Sequence, residues 1–192
     1  MYELLQQYFK GKIEISEGQF EQVKNVFTPK TAQRGEILLR SGDPCRQVFF
    51  VAKGCLRSYV IDDKGKEFVI QFAPENWWIT DLNSFYSQET AMFFIDVIEP
   101  AAILAGEKDF QQKLEAIHPD FNPLFNRLIR NSYRALQKRL VNQLVATAED
   151  RYLDFLNTYP DLARRIPQRM IASYLGVMPE SLSRIRKELS KK

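Results

Sequence analysis

The sequence predicts an α+β protein in which a small antiparallel β-roll (jelly roll) is followed by one long helix and then by two short helices. Three observations predict this order. Short β-branched and aromatic runs separated by turn residues fill positions 36–104, an apolar stripe with helical spacing begins near position 122, and a glycine joins two helical patterns near the C-terminus. The predicted segments are 1–119 for the β-roll, 120–146 for the long helix and 147–192 for the C-terminal domain.

Length and composition favour a soluble globular protein. The chain has 192 residues, of which 45% are hydrophobic, and its 14 phenylalanines are enough for a sizeable core. No run approaches the roughly 18–20 apolar residues of a membrane span. The first residues, Met1–Tyr8, have neither the basic head nor the apolar core of a signal peptide. We therefore expect a cytoplasmic protein with no membrane partner.

The scarcity of cysteine and histidine excludes several kinds of chemistry. The chain has two cysteines, Cys45 and Cys55, and one histidine, His118. These are too few for a disulfide framework, an iron–sulfur cluster or a metal site. A metal enzyme built on a β-roll would need clustered histidines and carboxylates, and His118 beside Pro119 has no plausible nucleophile to activate. The sequence therefore predicts a protein that is not an enzyme and holds no metal.

The net charge of +3 conceals two regions of opposite sign. Residues 1–119 hold 13 Lys/Arg and 17 Asp/Glu, a net charge of −4, whereas residues 120–192 hold 14 Lys/Arg and 7 Asp/Glu, a net charge of +7. An acidic first part with a basic last part is typical of a sensor body that carries a polyanion-binding end.

The elements of the predicted β-roll are short. Leu4 to Phe27 has loose helical spacing and predicts one or two helices. Beyond Gly35, turn signals at 41–44, 53–54 and 62–65 separate a series of short β-type runs. The predicted strands are 36–40, 47–52, 55–61, 67–72, 91–98 and 101–104. Many short strands without a long helix between them indicate a jelly roll or small barrel.

The long helix is predicted from Asn122 to about Thr158, with a break near Thr147 and an end at Tyr159-Pro160. It carries an apolar stripe in which Leu128, Leu136, Leu140 and Leu144 take part. Its basic residues Arg127, Arg130, Arg134 and Lys138 share a face, and no acidic residue occurs from Phe121 to Ala146. That face is either solvated or a site for an anionic effector.

The C-terminal segment has the pattern of two short helices around Gly176. Pro167 suits the first turn of a helix, whose buried side would carry Met170, Ile171, Tyr174 and Leu175. Glycine accepts the left-handed conformation that ends a helix, and Pro179 then begins a second helix with Leu182, Ile185 and Leu189 inward. Two short helices with a glycine turn and a basic second helix form a helix-turn-helix. The alternative is a helical hairpin packed into a core.

The stretch Gly176-Val-Met-Pro-Glu-Ser-Leu-Ser-Arg184 resembles the DNA-reading motif of the Crp/Fnr family, the cyclic-AMP receptor protein and fumarate–nitrate regulators. The resemblance implies that Glu180, Ser181 and Arg184 read bases in the major groove of double-stranded DNA, where arginine can bind guanine and glutamate can accept from cytosine. Residues assigned to the phosphate backbone are Gln168, Arg169, Arg186, Lys187, Lys191 and Lys192.

This sequence departs from the family pattern at two neighbouring positions. Pro179 replaces the arginine that the best-known members carry beside the glutamate. Met178 replaces the usual serine, which would accept a hydrogen bond at the start of the helix. Loss of that cap costs about 0.5–2 kcal/mol of local helix stability.

The resemblance extends to the β-roll, whose turn glycines include Gly35, Gly42 and Gly54. In cyclic-nucleotide-binding members, a Gly-Glu-Leu motif followed by an arginine holds the ribose and the cyclic phosphate. Here Thr80-Asp81-Leu82 stands for the first motif, and the arginine's place falls near Thr90-Ala91.

The segment between Lys66 and Lys108 contains no basic residue, so a cyclic phosphate would lack its charge partner. We therefore expect no cofactor and no response to cyclic AMP. Thr80, Asp81, Leu82, Thr90 and Ala91 are candidates for a pocket that binds another effector. The alternative is a segment packed on itself by aromatic residues, with Trp77-Trp78 in the core.

The resemblance implies a homodimer joined through the long helix, at Leu128, Leu136, Leu140 and Leu144, with RNA polymerase as a candidate partner. The predicted function is that of a sequence-specific DNA-binding transcription regulator. The alternative is a β-roll sensor of small molecules that acts through protein partners without binding DNA, in which case the C-terminal hairpin would be structural.

Overall fold

The computed structural model describes residues 1–190 and divides into two compact units. The first contains Met1–Val60 and Gln71–Arg130, and the second contains Ile61–Ile70 with the chain from Asn131 onward. The three segments predicted from the sequence, a sensor, a dimerisation helix and a reading domain, stay a prediction.

Most of an antiparallel sheet lies in the first unit, where it follows two N-terminal helices, α1 (Tyr2–Phe9) and α2 (Glu17–Lys24). The strands are β1 (Phe27–Ala32), β2 (Ile37–Leu39), β3 (Gln47–Ile61), β4 (Glu67–Ala73), β5 (Trp78–Ile79) and β6 (Phe94–Glu107). The main order is β1-β6-β3-β4, with β2 paired to β6 and β5 paired to β3. This sheet followed by helices confirms the predicted α+β fold.

Two long strands replace four predicted short ones. β3 continues through Lys53-Gly54, where a turn was expected, and β6 continues through Pro100. Gly54 has φ +85° and sits where the β3–β6 register shifts, and a Cβ there would lie 2.9 Å from the Cα of Ala101. The glycine therefore allows a β-bulge with close backbone approach, and it does not end the strand.

The sequence also missed four short elements of the first unit. They are β1, β5, α3 (Leu82–Ser87) and α4 (Phe110–Ile117). The aromatic side chains meet in the core, where Trp78 lies 5.0 Å from Phe50 and 5.7 Å from Phe125 between ring centroids. Trp77 and Trp78 are both half-buried and pack against the buried cluster, as the alternative of an aromatic-packed segment predicted.

The long predicted helix is two helices, α5 (Phe121–Val145) and α6 (Ala148–Thr158), with the break at Thr147 as expected. Thr147 caps α6: its hydroxyl accepts from the Asp150 amide at 3.1 Å, and the Asp150 carboxylate accepts from the Thr147 amide at 3.2 Å. Such a reciprocal pair fixes a helix start.

The second unit contains three more helices, α7 (Leu162–Arg165), α8 (Gln168–Leu175) and α9 (Pro179–Leu189). Its core is formed by buried side chains from these helices and from α6: Tyr152, Phe155, Tyr159, Leu162, Ile166, Ile171, Ala172, Leu175 and Leu182. Leu153 of α6 is exposed and takes no part in this core. Within residues 1–190, none of the helices combines the length and apolar character needed to span a bilayer.

Candidate nucleic-acid interface

The predicted helix-turn-helix is formed by α8 and α9. Gly176 adopts the left-handed conformation with φ 67°, and the Val177 amide donates to the carbonyl of Ala172 at 3.0 Å. These bonds satisfy carbonyls at the end of α8, as in a glycine-terminated helix. Pro179 begins α9, as predicted, whereas Pro167 precedes the first helical residue of α8 by one position.

The three predicted base-reading residues share the outer side of α9. Leu182 is fully buried and Ile185 is half-buried on the inner side, while Glu180, Ser181 and Arg184 are exposed. Glu180 and Arg184 are one helical turn apart and can reach the same groove edge. Among the residues that the structure describes, none of these three side chains is engaged in a hydrogen bond or ion pair. Their polar groups are therefore available to a ligand.

The predicted phosphate-contacting residues surround this surface. Gln168, Arg169 and Lys187 are exposed, and Arg186 is half-buried. Lys191 and Lys192 lie outside the described residues. The side chain of Pro167 cannot cap α8, so no side chain satisfies its first amides. Exposed basic side chains beside uncapped helix amides suit phosphate oxygens.

A half-buried arginine fixes α8 in place. Arg139 of α5 donates to the carbonyls of Val69 at 2.9 Å and Tyr174 at 2.7 Å, and also to that of Ile70. Its guanidinium carbon lies 4.0 Å from the centre of the Tyr174 ring. Burial lowers the pKa of Arg139 from its ordinary value, yet an arginine remains charged at neutral pH. We refer to Arg139 and these partners as the Arg139 clamp.

Ser173 of α8 adds a second link to the hairpin formed by β3 and β4, which also contains Val69 and Ile70. Its hydroxyl donates to the carbonyl of Glu67 at 2.7 Å and accepts from the amide of Val69 at 3.0 Å. The segment Ile61–Ile70 therefore binds α8 through backbone groups of β4. This arrangement could not be predicted from the sequence, because Arg139 belongs to a basic run and its acceptors are carbonyls about 35–70 positions away.

A second exposed surface lies on α5, and it is apolar. The apolar stripe of this helix begins in the core, where Leu124 is buried, and Leu128 is half-buried. Farther along, Leu136, Leu140 and Leu144 are 57%, 61% and 76% exposed. Tyr133, Val141 and Val145 are also exposed. So many neighbouring apolar side chains in water are unusual unless a partner covers them.

The basic residues of α5 are not equivalent. Lys138 forms an ion pair with Asp154 of α6, and Arg139 belongs to the clamp. Arg127, Arg130 and Arg134 are exposed, and no ion pair engages them among residues 1–190. The structure therefore leaves three cations of the predicted basic face in solvent.

The candidate effector segment is closed by its own hydrogen bonds. The buried carboxylate of Asp81 accepts from the amides of Ser84 at 3.1 Å, Met92 at 2.8 Å and Phe93 at 3.3 Å. It thereby caps α3 and holds the loop that precedes β6. Acceptor capacity that a ribose hydroxyl would use is already occupied by the backbone.

The other four candidate residues of this segment have different surroundings. The Thr80 hydroxyl donates to the carbonyl of Gln47 at 3.0 Å. Ala91 is buried, Leu82 is half-buried and Thr90 is exposed and bridged to Pro44. The five residues lie near one another in the fold, and the polar side chains of Thr80 and Asp81 form their hydrogen bonds with backbone groups of the protein.

The buried arginine of the sheet, Arg57, was missed in the sequence. It lies opposite Asp96 in the β3–β6 register and binds it through two hydrogen bonds of 2.8 and 2.9 Å. The guanidinium carbon is 4.1 Å from the centre of the Tyr59 ring. Arg57 is 5% exposed and Asp96 is 8% exposed, so both charges depend on each other for compensation.

Comparison with known proteins agrees with this fold. A family model described as the cyclic nucleotide-binding domain matches residues 29–114. The Regulatory protein HlyX of Actinobacillus pleuropneumoniae is 24% identical over 185 residues, which cover 89% of this chain and 75% of that protein. The Fumarate and nitrate reduction regulatory protein of Vibrio cholerae is 23% identical over 188 residues, covering 89% and 72%.

The solved structures include FixK2 from Bradyrhizobium japonicum, which superposes with a TM-score of 0.76 at 18% identity over 86% of this chain and 85% of that one. This likeness confirms the fold. The two sequence relatives are regulatory proteins.

Among the described residues, no group of three or more His, Cys, Asp or Glu side chains could hold a metal ion.

Proposed function

We propose that this protein is a homodimeric, sequence-specific DNA-binding transcription regulator of the Crp/Fnr type that does not respond to cyclic AMP. The matching cyclic nucleotide-binding domain and the similarity to two regulatory proteins support this proposal. The observation that carries the proposal is the surface of α9. This helix presents Glu180, Ser181 and Arg184 to solvent, on a unit in which the Arg139 clamp fixes the preceding helix. A rigidly held helix with exposed base-reading groups is what major-groove recognition requires.

The charge of the reading unit supports the same proposal. Arg169, Arg184 and Lys187 are exposed around α8 and α9, and residues 120–192 carry a net charge of +7. Cations around a reading helix release counterions from DNA and produce affinity that falls with salt. Selection of bound sequences from a random DNA library by the purified protein would test the proposal directly.

Replacing Arg184 by alanine should weaken binding to the selected site by about 1–3 kcal/mol and relax the choice at one base pair. The reason is that the guanidinium can form two hydrogen bonds to one guanine, which alanine cannot replace. The matched control is Lys187→Ala on the same helix. It should weaken binding similarly on all sequences and reduce the salt slope by about one charge.

Competition of both variants against randomised sites separates these outcomes. An even loss of affinity over all sequences for Arg184→Ala would make Arg184 a phosphate contact and contradict its base-reading role. Absence of any salt-dependent DNA affinity in the wild type would favour a sensor that acts through protein partners.

Titration calorimetry with cyclic AMP and cyclic GMP should show no binding up to millimolar concentration. The carboxylate of Asp81 already accepts three backbone hydrogen bonds. The segment between Lys66 and Lys108 supplies no cation for a cyclic phosphate, and Arg57 is bound by Asp96. An uncompensated buried phosphate is strongly disfavoured. Tight binding of either nucleotide would show that Thr80-Asp81-Leu82 is not the counterpart of the family motif.

A further inference from the structure

The leading end of α9 is apolar. Met178 precedes the first residue of the helix and is 59% exposed, and its side chain forms no capping hydrogen bond. Pro179, the first helical residue, is also exposed and has no amide N–H to donate. Two successive residues at this end therefore offer neither a donor nor a strong acceptor from their side chains. We refer to them as the apolar edge.

The apolar edge is held firmly relative to Glu180 and Arg184. The Met178 carbonyl accepts the first helical hydrogen bond from Leu182 at 3.2 Å, and Leu182 is fully buried. The proline ring fixes its own φ angle. On the other side, Val177 is tied to α8 through its bond to Ala172. The edge is therefore presented in one orientation beside the polar residues of α9.

The surroundings of the edge indicate the chemistry of its occupant. Exposed cations of the same unit, Arg169, Arg184 and Lys187, suit a polyanion. A polyanion with apolar groups on its readable surface is double-stranded DNA, in which thymine alone among the four bases presents a methyl group in the major groove. An apolar side chain beside this methyl loses no hydrogen bond.

We propose that Met178 and Pro179 select a thymine in each half-site by packing against its 5-methyl group, next to the base pairs read by Glu180 and Arg184. The inference rests on the proposed DNA-binding function and adds a specificity that this function alone does not require. The selection also acts against other bases. An amino group of adenine or cytosine, or the acceptors of guanine, would lose water at the apolar edge without gaining a partner.

The test replaces thymine by deoxyuridine, one position at a time, in the site obtained by DNA selection. Deoxyuridine keeps the base pair and removes the methyl group alone. At one position of each half-site, the wild-type protein should bind about fourfold more weakly, the contribution of one buried methyl-sized group. Replacement in flanking thymines outside the half-sites serves as the control and should leave the affinity unchanged.

The protein variant for the same test is Met178→Ser/Pro179→Ser. It should bind thymine and deoxyuridine sites equally while it keeps the preference that Arg184 confers. Serine at position 178 supplies a cap to α9, so loss of methyl discrimination cannot be assigned to a weakened helix. The Arg184→Ala variant should show the opposite behaviour and retain the methyl dependence.

The possible results distinguish this inference from the function on which it rests. Failure of the wild type to select any DNA sequence would overturn the proposed function. Selection of a site in which deoxyuridine equals thymine at every position would leave that function standing and overturn the role of the apolar edge. Methyl dependence that persists in Met178→Ser/Pro179→Ser would also overturn it.

Discussion

Replacing Leu136 and Leu140 by glutamate should convert the protein from a dimer to a monomer at micromolar concentration. Both leucines are more than half exposed on α5. A two-fold interface would bury both of them from each of the two subunits. Because each leucine has about 60% of its surface left to bury, the four side chains would contribute about 4–7 kcal/mol of apolar burial, which is opposed by the entropy cost of association. The introduced carboxylates would add repulsion across the two-fold axis. Sedimentation velocity of both proteins measures the change directly.

A control for the added charge is Asn131→Glu/Ala135→Glu, which adds the same two carboxylates to α5. Both positions are exposed on α5, on the side away from the leucine stripe, and this variant should remain a dimer. Loss of the dimer should also weaken binding to a two-fold DNA site, because a single subunit engages only one half-site. A wild-type protein that sediments as a monomer at micromolar concentration would contradict the proposed interface.

Replacing Asp96 by alanine should destabilise the first unit by about 3–5 kcal/mol, because the buried charge of Arg57 would lose the carboxylate that binds it through two hydrogen bonds. Both tryptophans of the chain lie in this unit, so their fluorescence during denaturant unfolding reports on it. The double variant Arg57→Met/Asp96→Leu should be much less destabilised, since it removes both charges and retains apolar volume. Burying the two charges costs desolvation free energy, which their mutual attraction offsets. Removal of one member leaves the desolvation cost of the other charge and lowers the free energy of unfolding.

The matched control is the exposed ion pair of Lys113 and Asp109 in the same unit, whose side chains are about half exposed. Lys113→Ala should lower the free energy of unfolding by less than about 1 kcal/mol, because water and salt screen such pairs. If Asp96→Ala and Lys113→Ala unfolded at similar denaturant concentrations, the buried pair would not have the role assigned to it.

The helix-turn-helix was predictable because its signals are local. Gly176 and Pro179 mark the end of one helix and the start of the next within four positions, and Leu182 follows with the correct spacing for burial. The break at Thr147 was predictable for the same reason, since its cap involves Asp150 only three positions later.

The features that the sequence alone does not determine depend on contacts between distant positions. Gly54 carries the same sequence signal in a turn and in a bulge, and only the passage of β6 beside it decides between them. Arg57 and Asp96 are 39 positions apart, and their pairing follows from strand register. Asp81 has the residue type of a ligand-binding carboxylate, but the course of the backbone around it determines that it accepts from three amides.

The Arg139 clamp bears on how this protein could exchange parts with its relatives during evolution. The unit that carries α8 and α9 contains two separate stretches of chain, because Ile61–Ile70 contributes the carbonyls that bind Arg139 and Ser173. Recombination that transfers the C-terminal stretch alone would pair these side chains with a foreign hairpin. Because the acceptors are backbone carbonyls, the foreign hairpin needs the same shape and not the same sequence. The second unit thus depends on the backbone shape of Ile61–Ile70 and on the side-chain identity of Arg139 and Ser173.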